Sequence, residues 1–300
     1  MRKIFSKILE ENLILNKKNF LITGDLGFNV LDNIKENFKE NFLNIGICEQ
    51  SMLSFSAGLS KHYKNVFVYS IANFNTFRAL EQIRNDICYQ DNKVIIVSVG
   101  TGFAYGKLGY THYGIEDIGI INTLPNIHIY NPLDEDKFKL IFNKILKINK
   151  PVYLRLNRDS GVKFKKTNKL NSSGFDKINY KPKNKITILS YGYSTSLAYQ
   201  YIKKENLDEK INIIDCYQLK PFNTKEILKL IKNSHKIIIL EEHRPETGLF
   251  GIFSYNCIDK INEKKIFSIG LNNESFSRYG DHDFMLNKYL NFEEKIKKYI

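Results

Sequence analysis

Short apolar segments alternate with segments of helical spacing along this chain, and this alternation limits the fold more than any other feature. Residues 1–15 carry apolar side chains at the spacing of one helix face, and residues 19–23 then form a short apolar run. Further strands are expected at residues 42–44, 66–70, 93–99, 127–130 and 151–156, and further helices at residues 30–39, 49–63 and 74–89. Because strands separated by helices pair in parallel, we predict a doubly wound α/β fold.

A change of composition divides the chain in two. Residues 161–184 are rich in Lys, Asn, Ser and Gly, which is typical of a linker. The alternation then resumes, with strands expected near residues 185–190, 211–215, 236–241 and 266–269. Three hundred residues suffice for two ordinary domains. We predict two doubly wound domains, at residues 1–165 and 185–300, joined by a linker at residues 166–184.

The formal net charge is +13, which raises the question of a nucleic-acid surface. The lysines, however, are scattered among Asn and Ile, with no arginine-rich block and no nucleic-acid-reading motif. We therefore predict no nucleic-acid partner. The positive surface instead favours small phosphorylated substrates.

The four cysteines are widely spaced and form no Cys-x-x-Cys pair, so neither a zinc site nor a disulfide framework is expected. The first residues do not have the pattern of a signal peptide. No apolar run approaches the length that a bilayer requires. We therefore expect a cytoplasmic protein without membrane contact.

Two acidic residues lie where predicted strands end. Asp25 follows the strand at residues 19–23, and Glu49 opens the helix that follows residues 42–44. Ligands of open α/β sheets bind outside the carboxyl ends of the strands, so both side chains are candidates for a binding crevice. Local chemistry also allows structural roles. Asp25 could be a turn or cap residue, and Glu49 could be a first-turn carboxylate favoured by the helix dipole.

Two phenylalanines and a histidine complete the candidate site. Phe74 and Phe77 are three residues apart and share one helix face, where they could offer a slot and a stacking surface to a flat aromatic ring. Core packing is the alternative, especially for Phe77. His112 ends a glycine-rich loop, where it could bond a substrate oxygen or carry a proton. With Thr111 it could instead cap the helix expected near residue 115.

The glycine-rich loop at residues 100–106 is not a dinucleotide site. Its last glycine spacing is one residue longer than that motif requires, and no apolar helix follows it. The glycines are expected to let the loop pass close to a bound ligand.

Three segments, in this order, together resemble the transketolase family. They are residues 44–50 with Gly-Ile-Cys-Glu-Gln, the Phe-rich residues 73–79, and residues 109–119 with Gly-Tyr-Thr-His-Tyr-Gly-Ile-Glu-Asp-Ile-Gly. Residues 190–194, 219–222 and 241–251 resemble the C-terminal domain of that family. The resemblance implies a thiamine-pyrimidine-binding domain at residues 1–165 and a transketolase C-terminal-like domain at residues 185–300.

The same resemblance implies thiamine diphosphate as cofactor and a set of site residues. Glu49 would hold N1′ of the aminopyrimidine ring and favour the imino tautomer that activates the cofactor. The implied residues are Glu49 and His112 in catalysis; Asp25, Leu26, Glu49, Phe74 and Phe77 at the cofactor; and His112, Arg155 and Arg158 at the substrate. The two arginines would grip a phosphate, with a surface or interdomain salt bridge as the equal alternative.

Part of the family's cofactor site is missing from this sequence. The Gly-Asp-Gly motif that holds the diphosphate and Mg²⁺ does not occur, and Gly280-Asp281-His282 is no substitute for it. We expect no metal ligands in this chain. The resemblance implies an N-terminal-type partner subunit that carries the motif and the Mg²⁺, in an α2β2 assembly. This chain alone should be inactive.

The implied reaction is transfer of a two-carbon ketol unit from a ketose, or its phosphate, to an aldehyde. An acid that family members use to contact a donor hydroxyl is absent here, where the chain has Leu108, so the donor stays open. One alternative is a deoxyxylulose-phosphate-synthase-like or 2-oxoacid-dehydrogenase β-type subunit, which uses a decarboxylated donor. Another is a non-catalytic scaffold subunit.

Overall fold

The computed structural model describes residues 1–157, 162, 164, 169–261, 263–273 and 276–300. The strands are β1 (Asn19–Thr23), β2 (Phe42–Asn44), β3 (Asn65–Ile71), β4 (Val94–Val99), β5 (His128–Tyr130), β6 (Val152–Leu156), β7 (Asp176–Asn179), β8 (Ile186–Ser190), β9 (Ile211–Asp215), β10 (Gln218–Lys220), β11 (Lys236–Leu240) and β12 (Lys265–Ile269). The helices are α1 (Arg2–Leu15), α2 (Asp32–Asn37), α3 (Glu49–Leu59), α4 (Ala72–Phe77), α5 (Leu80–Gln82), α6 (Asp117–Asn122), α7 (Glu135–Ile145), α8 (Tyr193–Lys204), α9 (Thr224–Leu230), α10 (Leu249–Cys257), α11 (His282–Met285) and α12 (Phe292–Lys297).

The first half of the chain forms a twisted sheet with strand order β10-β5-β6-β4-β3-β1-β2. The pairs from β5 to β2 are all parallel. Every residue of β3, β4 and β6 is buried, as expected for central strands that are covered on both faces. Such fully buried aliphatic side chains each contribute about 1.5–3 kcal/mol to stability. The prediction of a doubly wound α/β fold is confirmed for this half.

The second half forms another mostly parallel sheet, with strand order β12-β11-β8-β9-β7. Its strands β8, β9 and β11 are rich in isoleucine and almost wholly buried. Helices α8 and α10 each begin shortly after a strand of this sheet, and the helices near the C-terminus pack on the same core. The prediction of a second α/β unit is therefore confirmed.

Two short antiparallel strands were not expected from the sequence. Strand β7 lies inside the predicted linker and pairs with β9 at the edge of the second sheet. Strand β10 comes from the second half of the chain but pairs with β5 of the first sheet. Both strands have only three or four residues and weak apolar alternation, so tertiary pairing rather than local pattern determines them. The boundaries 1–165, 166–184 and 185–300 stay predictions.

The helix predicted at residues 74–89 is divided. Helix α4 begins directly after β3, and the backbone leaves helical geometry at Ala79, which has φ −129° and ψ 25°. A short helix and a π-helical turn (Ile83–Cys88) follow. Within α4 the Thr76 hydroxyl donates to the carbonyl of Ala72 at 2.8 Å, a contact that bends helices. Single-turn π segments are frequent near functional sites.

No helix in the described part of the chain is long and apolar enough to cross a membrane.

Candidate active site

A crevice lies along the carboxyl ends of β1, β2, β3 and β4, the edge at which open α/β sheets bind ligands. Asp25 follows β1, and Glu49 begins α3 after β2. Phe74 lies in α4, which continues β3, and the loop after β4 leads to His112. Parallel pairing therefore brings together four of the residues that were singled out from the sequence.

Glu49 is the buried acid of this crevice. Glu49 is only 4% exposed, although it borders an open cleft of about 390 Å³. The other residues lining that cleft are Ile47, Cys48, Gln50, Ser51 and Arg78. A carboxylate buried in this way needs a partner, and Arg78 supplies one, since its Nη1 donates to Oε1 of Glu49 at 2.8 Å.

Arg78 also connects Glu49 to the aromatic part of the site. The guanidinium carbon of Arg78 lies 3.8 Å from the centroid of the Phe74 ring, in cation–π contact. Phe74 also meets the His112 ring edge-on, at 5.2 Å between centroids. Glu49, Arg78, Phe74 and His112 thus form one continuous series of contacts. No role was predicted for Arg78 from the sequence, although its position four residues after Phe74 places both on one helix face.

His112 ends a 3₁₀ turn (Tyr110–His112) and is partly buried. Burial and the nearby positive charge of Arg78 lower the pKa of His112 below its ordinary value of 6.5. Its Nδ1 lies 2.9 Å from the hydroxyl oxygen of Thr111, and the Asn73 amide donates to the carbonyl of Thr111 at 3.4 Å. An imidazole that is neutral at pH 7 can donate a hydrogen bond at one nitrogen and accept a proton at the other.

Asp25 and Leu26 line the neighbouring turn after β1. Asp25 is exposed and has φ 55°, and its backbone N–H donates to Oδ1 of Asn44 at 2.9 Å. The Asn44 amide returns a hydrogen bond to the Asp25 carboxylate at 3.2 Å. Leu26 packs against the core from a half-buried position. Asn44 therefore fixes the turn while the Asp25 side chain faces solvent.

Phe77 does not share the position of Phe74. It is 55% exposed, whereas Phe74 is half-buried. Its place beside the cofactor stays a prediction. Cys48, directly before Glu49, is partly exposed and its thiol donates to the carbonyl of Ile45 at 3.1 Å.

The second domain holds the loop that carries His112. Glu242 accepts hydrogen bonds at Oε1 from the backbone N–H of Phe103, at 2.5 Å, and from Nε2 of His282, at 2.8 Å. A Cβ at Gly102 would lie 2.3 Å from the Glu242 carboxyl carbon. The glycine thus gives room to a carboxylate of this protein, where the sequence had suggested room for a ligand.

Arg155 does not lie at the cleft lined by Glu49. It is 1% exposed and bonds Asp117 through Nε and Nη2, at 2.7 and 2.9 Å, and Asn131 through Nη1 at 2.7 Å. Its Nη2 also donates to the carbonyl of Gly114 at 3.1 Å. The guanidinium carbon lies 5.5 Å from the ring of Tyr191, which belongs to the second domain. A phosphate contact of Arg155 stays a prediction, and Arg158 lies outside the described residues.

The described residues contain no group of three or more His, Cys, Asp and Glu side chains that could hold a metal ion. At the cleft itself, Glu49 is already paired with a cation. The donor set therefore suits a flat organic group with N–H donors better than it suits Mg²⁺, which takes several oxygen ligands.

Comparison with known families gives two matches that follow each other along the chain. The model of the transketolase pyrimidine binding domain matches residues 1–162, and the model of the transketolase C-terminal domain matches residues 177–263. The first match alone covers more than half of the 300 residues.

Similar proteins carry related names. The chain is 29% identical to one subunit of an apulose-4-phosphate transketolase of Phocaeicola vulgatus, over 98% of this chain and 97% of that protein. It is 28% identical to a 1-deoxy-D-xylulose-5-phosphate synthase of Natranaerobius thermophilus, over 99% of this chain but only 47% of the synthase. Among solved structures, a "Split gene transketolase, inactive beta4 tetramer" superposes with a TM-score of 0.83 at 27% identity, covering 96% of this chain and 92% of that chain.

Proposed function

This chain belongs to the transketolase family, and from that membership we propose that it is the pyrimidine-binding and C-terminal subunit of a split, thiamine-diphosphate-dependent transketolase. One observation carries the proposal. The Arg78 guanidinium, a planar N–H donor, bonds the buried carboxylate of Glu49 and at the same time lies over the ring of Phe74. The aminopyrimidine ring of thiamine is likewise flat and rich in nitrogen.

The Arg78 guanidinium shows what kind of group fits beside Glu49 and Phe74, because it is flat and carries N–H donors like the aminopyrimidine ring. The guanidinium carbon lies 3.8 Å from the Phe74 centroid, which is van der Waals contact, while Nη1 of Arg78 lies 2.8 Å from Oε1 of Glu49. The space between the two side chains therefore accepts a flat group that stacks and donates at once. Glu49 and Phe74 fit the aminopyrimidine half of thiamine diphosphate.

When bound, thiamine diphosphate supplies a carbon nucleophile that cleaves a carbon–carbon bond and stabilises the negative charge that results. In our proposal Glu49 holds the ring nitrogen N1′ and shares its proton, while Phe74 orients the ring by stacking. His112, next to Phe74, bonds a substrate oxygen or moves a proton there, which its lowered pKa suits because the imidazole is neutral. Asp25 and Leu26 would lie toward the second ring of the cofactor.

The diphosphate and Mg²⁺ belong to a partner subunit in this proposal. The sequence has no Gly-Asp-Gly motif, and the described residues offer no metal cluster. The related protein of Phocaeicola vulgatus is named as a subunit, and this chain covers 97% of it. The similar solved structure is called an inactive tetramer of β chains, which supports the expectation that such a chain needs a different partner to be active. We propose an α2β2 assembly.

The proposed reaction is transfer of a two-carbon ketol unit from a ketose phosphate to an aldehyde. The net charge of +13 favours phosphorylated substrates. A second candidate is a deoxyxylulose-phosphate-synthase-like reaction with a decarboxylated donor. It is favoured by Leu108, which is 57% exposed where a donor-binding acid is expected, and by the likeness to the synthase of Natranaerobius thermophilus.

The test mixes this chain with a candidate partner that carries the Gly-Asp-Gly motif. Cofactor binding is measured by calorimetry with Mg²⁺, and turnover is assayed with ketose phosphates and, separately, with pyruvate. We expect binding and ketol transfer only in the mixture, and loss of turnover in Glu49→Gln. The control is Glu81→Gln, which changes an exposed carboxylate of the same domain.

Turnover of pyruvate alone would replace the transketolase reaction by the second candidate. If no Gly-Asp-Gly partner gave Mg²⁺-dependent cofactor binding, or if Glu49→Gln kept full activity, the chain would be a non-catalytic scaffold subunit instead.

A further inference from the structure

We propose that Arg78 is an internal occupant of the aminopyrimidine slot: in the cofactor-free subunit its guanidinium fills the space between Phe74 and Glu49, and the cofactor enters by displacing it. This inference rests on the proposed function. It identifies a residue that competes with the cofactor, and it therefore concerns cofactor binding and not the reaction that follows.

The two occupants exclude each other. The guanidinium carbon lies 3.8 Å from the Phe74 centroid, which is about the contact distance of two carbon atoms. An aromatic ring stacked on that face of Phe74 would need the same layer of space. The Glu49 carboxylate that would hold the ring nitrogen accepts the hydrogen bond from Arg78 at Oε1, at 2.8 Å. Arg78 thus competes for both contacts at once.

The Arg78 side chain can move out of the slot without unfolding helix α4. It is the residue after the last turn of α4, and Ala79 behind it is no longer helical. Its side chain is 44% exposed, whereas that of Glu49 is 4% exposed. A long, half-exposed arginine can rotate into water by its side-chain torsions alone. Glu49, in contrast, cannot follow, so it stays behind as the fixed half of the slot.

Arg78 also stabilises the buried carboxylate of Glu49 before the cofactor binds. A buried carboxylate without a partner is costly, and Arg78 provides a charge-assisted hydrogen bond that the cofactor would replace. The consequence is a weaker affinity for the cofactor. If Arg78 fills the slot in nine of ten molecules, the apparent dissociation constant rises about tenfold over that of the open slot.

The experiment titrates thiamine, which lacks the diphosphate and needs no Mg²⁺, into the full chain mixed with the Gly-Asp-Gly partner subunit, by calorimetry and by saturation-transfer NMR of its pyrimidine protons. In Arg78→Ala the dissociation constant should fall about tenfold. Arg78→Lys, which keeps the charge but not the planar stacking group, should give an intermediate value. Arg84→Ala is the matched control, since Arg84 is an exposed arginine of the next helical turns whose Nη1 donates to its neighbour Asn85.

The possible results distinguish the proposal about Arg78 from the proposed cofactor site. Tighter thiamine binding in Arg78→Ala, with Arg84→Ala like the unaltered protein, supports the inference. Equal or weaker binding in Arg78→Ala, with thiamine bound by the unaltered protein, overturns it and leaves the cofactor site standing. Absence of thiamine binding in every variant overturns both the occupant and the cofactor site.

Discussion

The guanidinium of Arg155 and the carboxylate of Asp117 form a two-point ion pair inside the protein, with Nε 2.7 Å from Oδ2 and Nη2 2.9 Å from Oδ1. The Tyr153 hydroxyl donates to the same carboxylate at 2.8 Å. Burial by itself would raise the pKa of Asp117, but the charge and hydrogen bonds of Arg155, together with His243 and the Tyr153 hydrogen bond, outweigh burial and hold that pKa below its usual value. The pair therefore remains charged, and it lies against Tyr191 of the second domain.

Arg155→Met should destabilise the protein strongly, because it leaves the Asp117 charge buried without its partner. Breaking a buried pair in this way costs about 3–5 kcal/mol. Urea denaturation of the unaltered and altered chains measures the loss. The control is Arg155→Met combined with Asp117→Asn, which removes both charges and should recover part of the stability. Near-normal stability in Arg155→Met, together with a raised KM for a phosphorylated substrate, would contradict this structural role and favour the phosphate contact predicted from the sequence.

Cys48 should report cofactor binding through its reaction with iodoacetamide. It lines the cleft at Glu49 and is partly exposed, while Cys88, Cys216 and Cys257 are buried. Burial raises the pKa of Cys88 to about 12 and that of Cys257 to about 11, and it raises that of Cys216 as well. The thiolate is the form of cysteine that reacts, and the three buried cysteines form little of it, so only one cysteine should react quickly. Peptide mass spectrometry should assign the modification to Cys48.

Saturating thiamine diphosphate, with Mg²⁺ and the partner subunit present, should slow alkylation of Cys48 at least several-fold. The variant Cys48→Ala should show no fast phase, which identifies the reacting thiol. If calorimetry detects bound cofactor while Cys48 reacts at its original rate, the cofactor binds elsewhere and the cleft at Glu49 is not its site.

Local pattern predicted the framework of this protein but not the contacts that complete it. Glu49 and Asp25 could be placed at one crevice because each follows an apolar run, and parallel strands bring their carboxyl ends together. The role of Arg78 could not be predicted, since an arginine in a helical pattern is usually solvated and its partner Glu49 lies 29 residues away. Glu242 and His282 are separated by 40 residues, and they meet the loop at Phe103 only through tertiary packing.

The pH dependence of stability should contain two opposing contributions from buried neighbours in the second domain. Burial lowers the pKa of His243 from 6.5 to about 4, and burial raises the pKa of Glu241 from 4.5 to about 7. The contribution of His243 to the free energy of unfolding is present above pH 6.5 and is lost as the pH falls toward 4. The contribution of Glu241 is present below pH 4.5 and is lost as the pH rises through 7.

The two contributions can be separated by single substitutions, each with a limiting slope of about 1.4 kcal/mol per pH unit. Relative to the unaltered protein, His243→Gln should gain stability as the pH falls from 6.5 to 4. Glu241→Gln should gain stability as the pH rises from 4.5 to 7. Urea denaturation at intervals of half a pH unit gives both difference curves. Two flat curves would show that neither group changes its proton affinity on folding.

Gly102→Ala should displace the loop that carries His112. Gly102 has φ +62°, and an added Cβ would meet the Glu242 carboxylate at 2.3–2.6 Å. Gly109→Ala is a matched control in the same loop, because Gly109 also has a positive φ, +83°, but nothing lies within 4 Å of its added Cβ. Gly109→Ala therefore reports backbone strain alone, and only Gly102→Ala adds a collision.

We expect Gly102→Ala to lose on the order of 2 kcal/mol in unfolding free energy, partly from backbone strain and partly from the collision with Glu242. Combining Gly102→Ala with Glu242→Ala removes the collision, so the double variant should be less destabilised than the sum of the two single variants. Chemical shifts of the His112 ring should move in Gly102→Ala, because its edge-on contact with Phe74 depends on the loop. Additive losses in the double variant, with an unmoved His112 ring in Gly102→Ala, would show that Glu242 does not hold the loop in place.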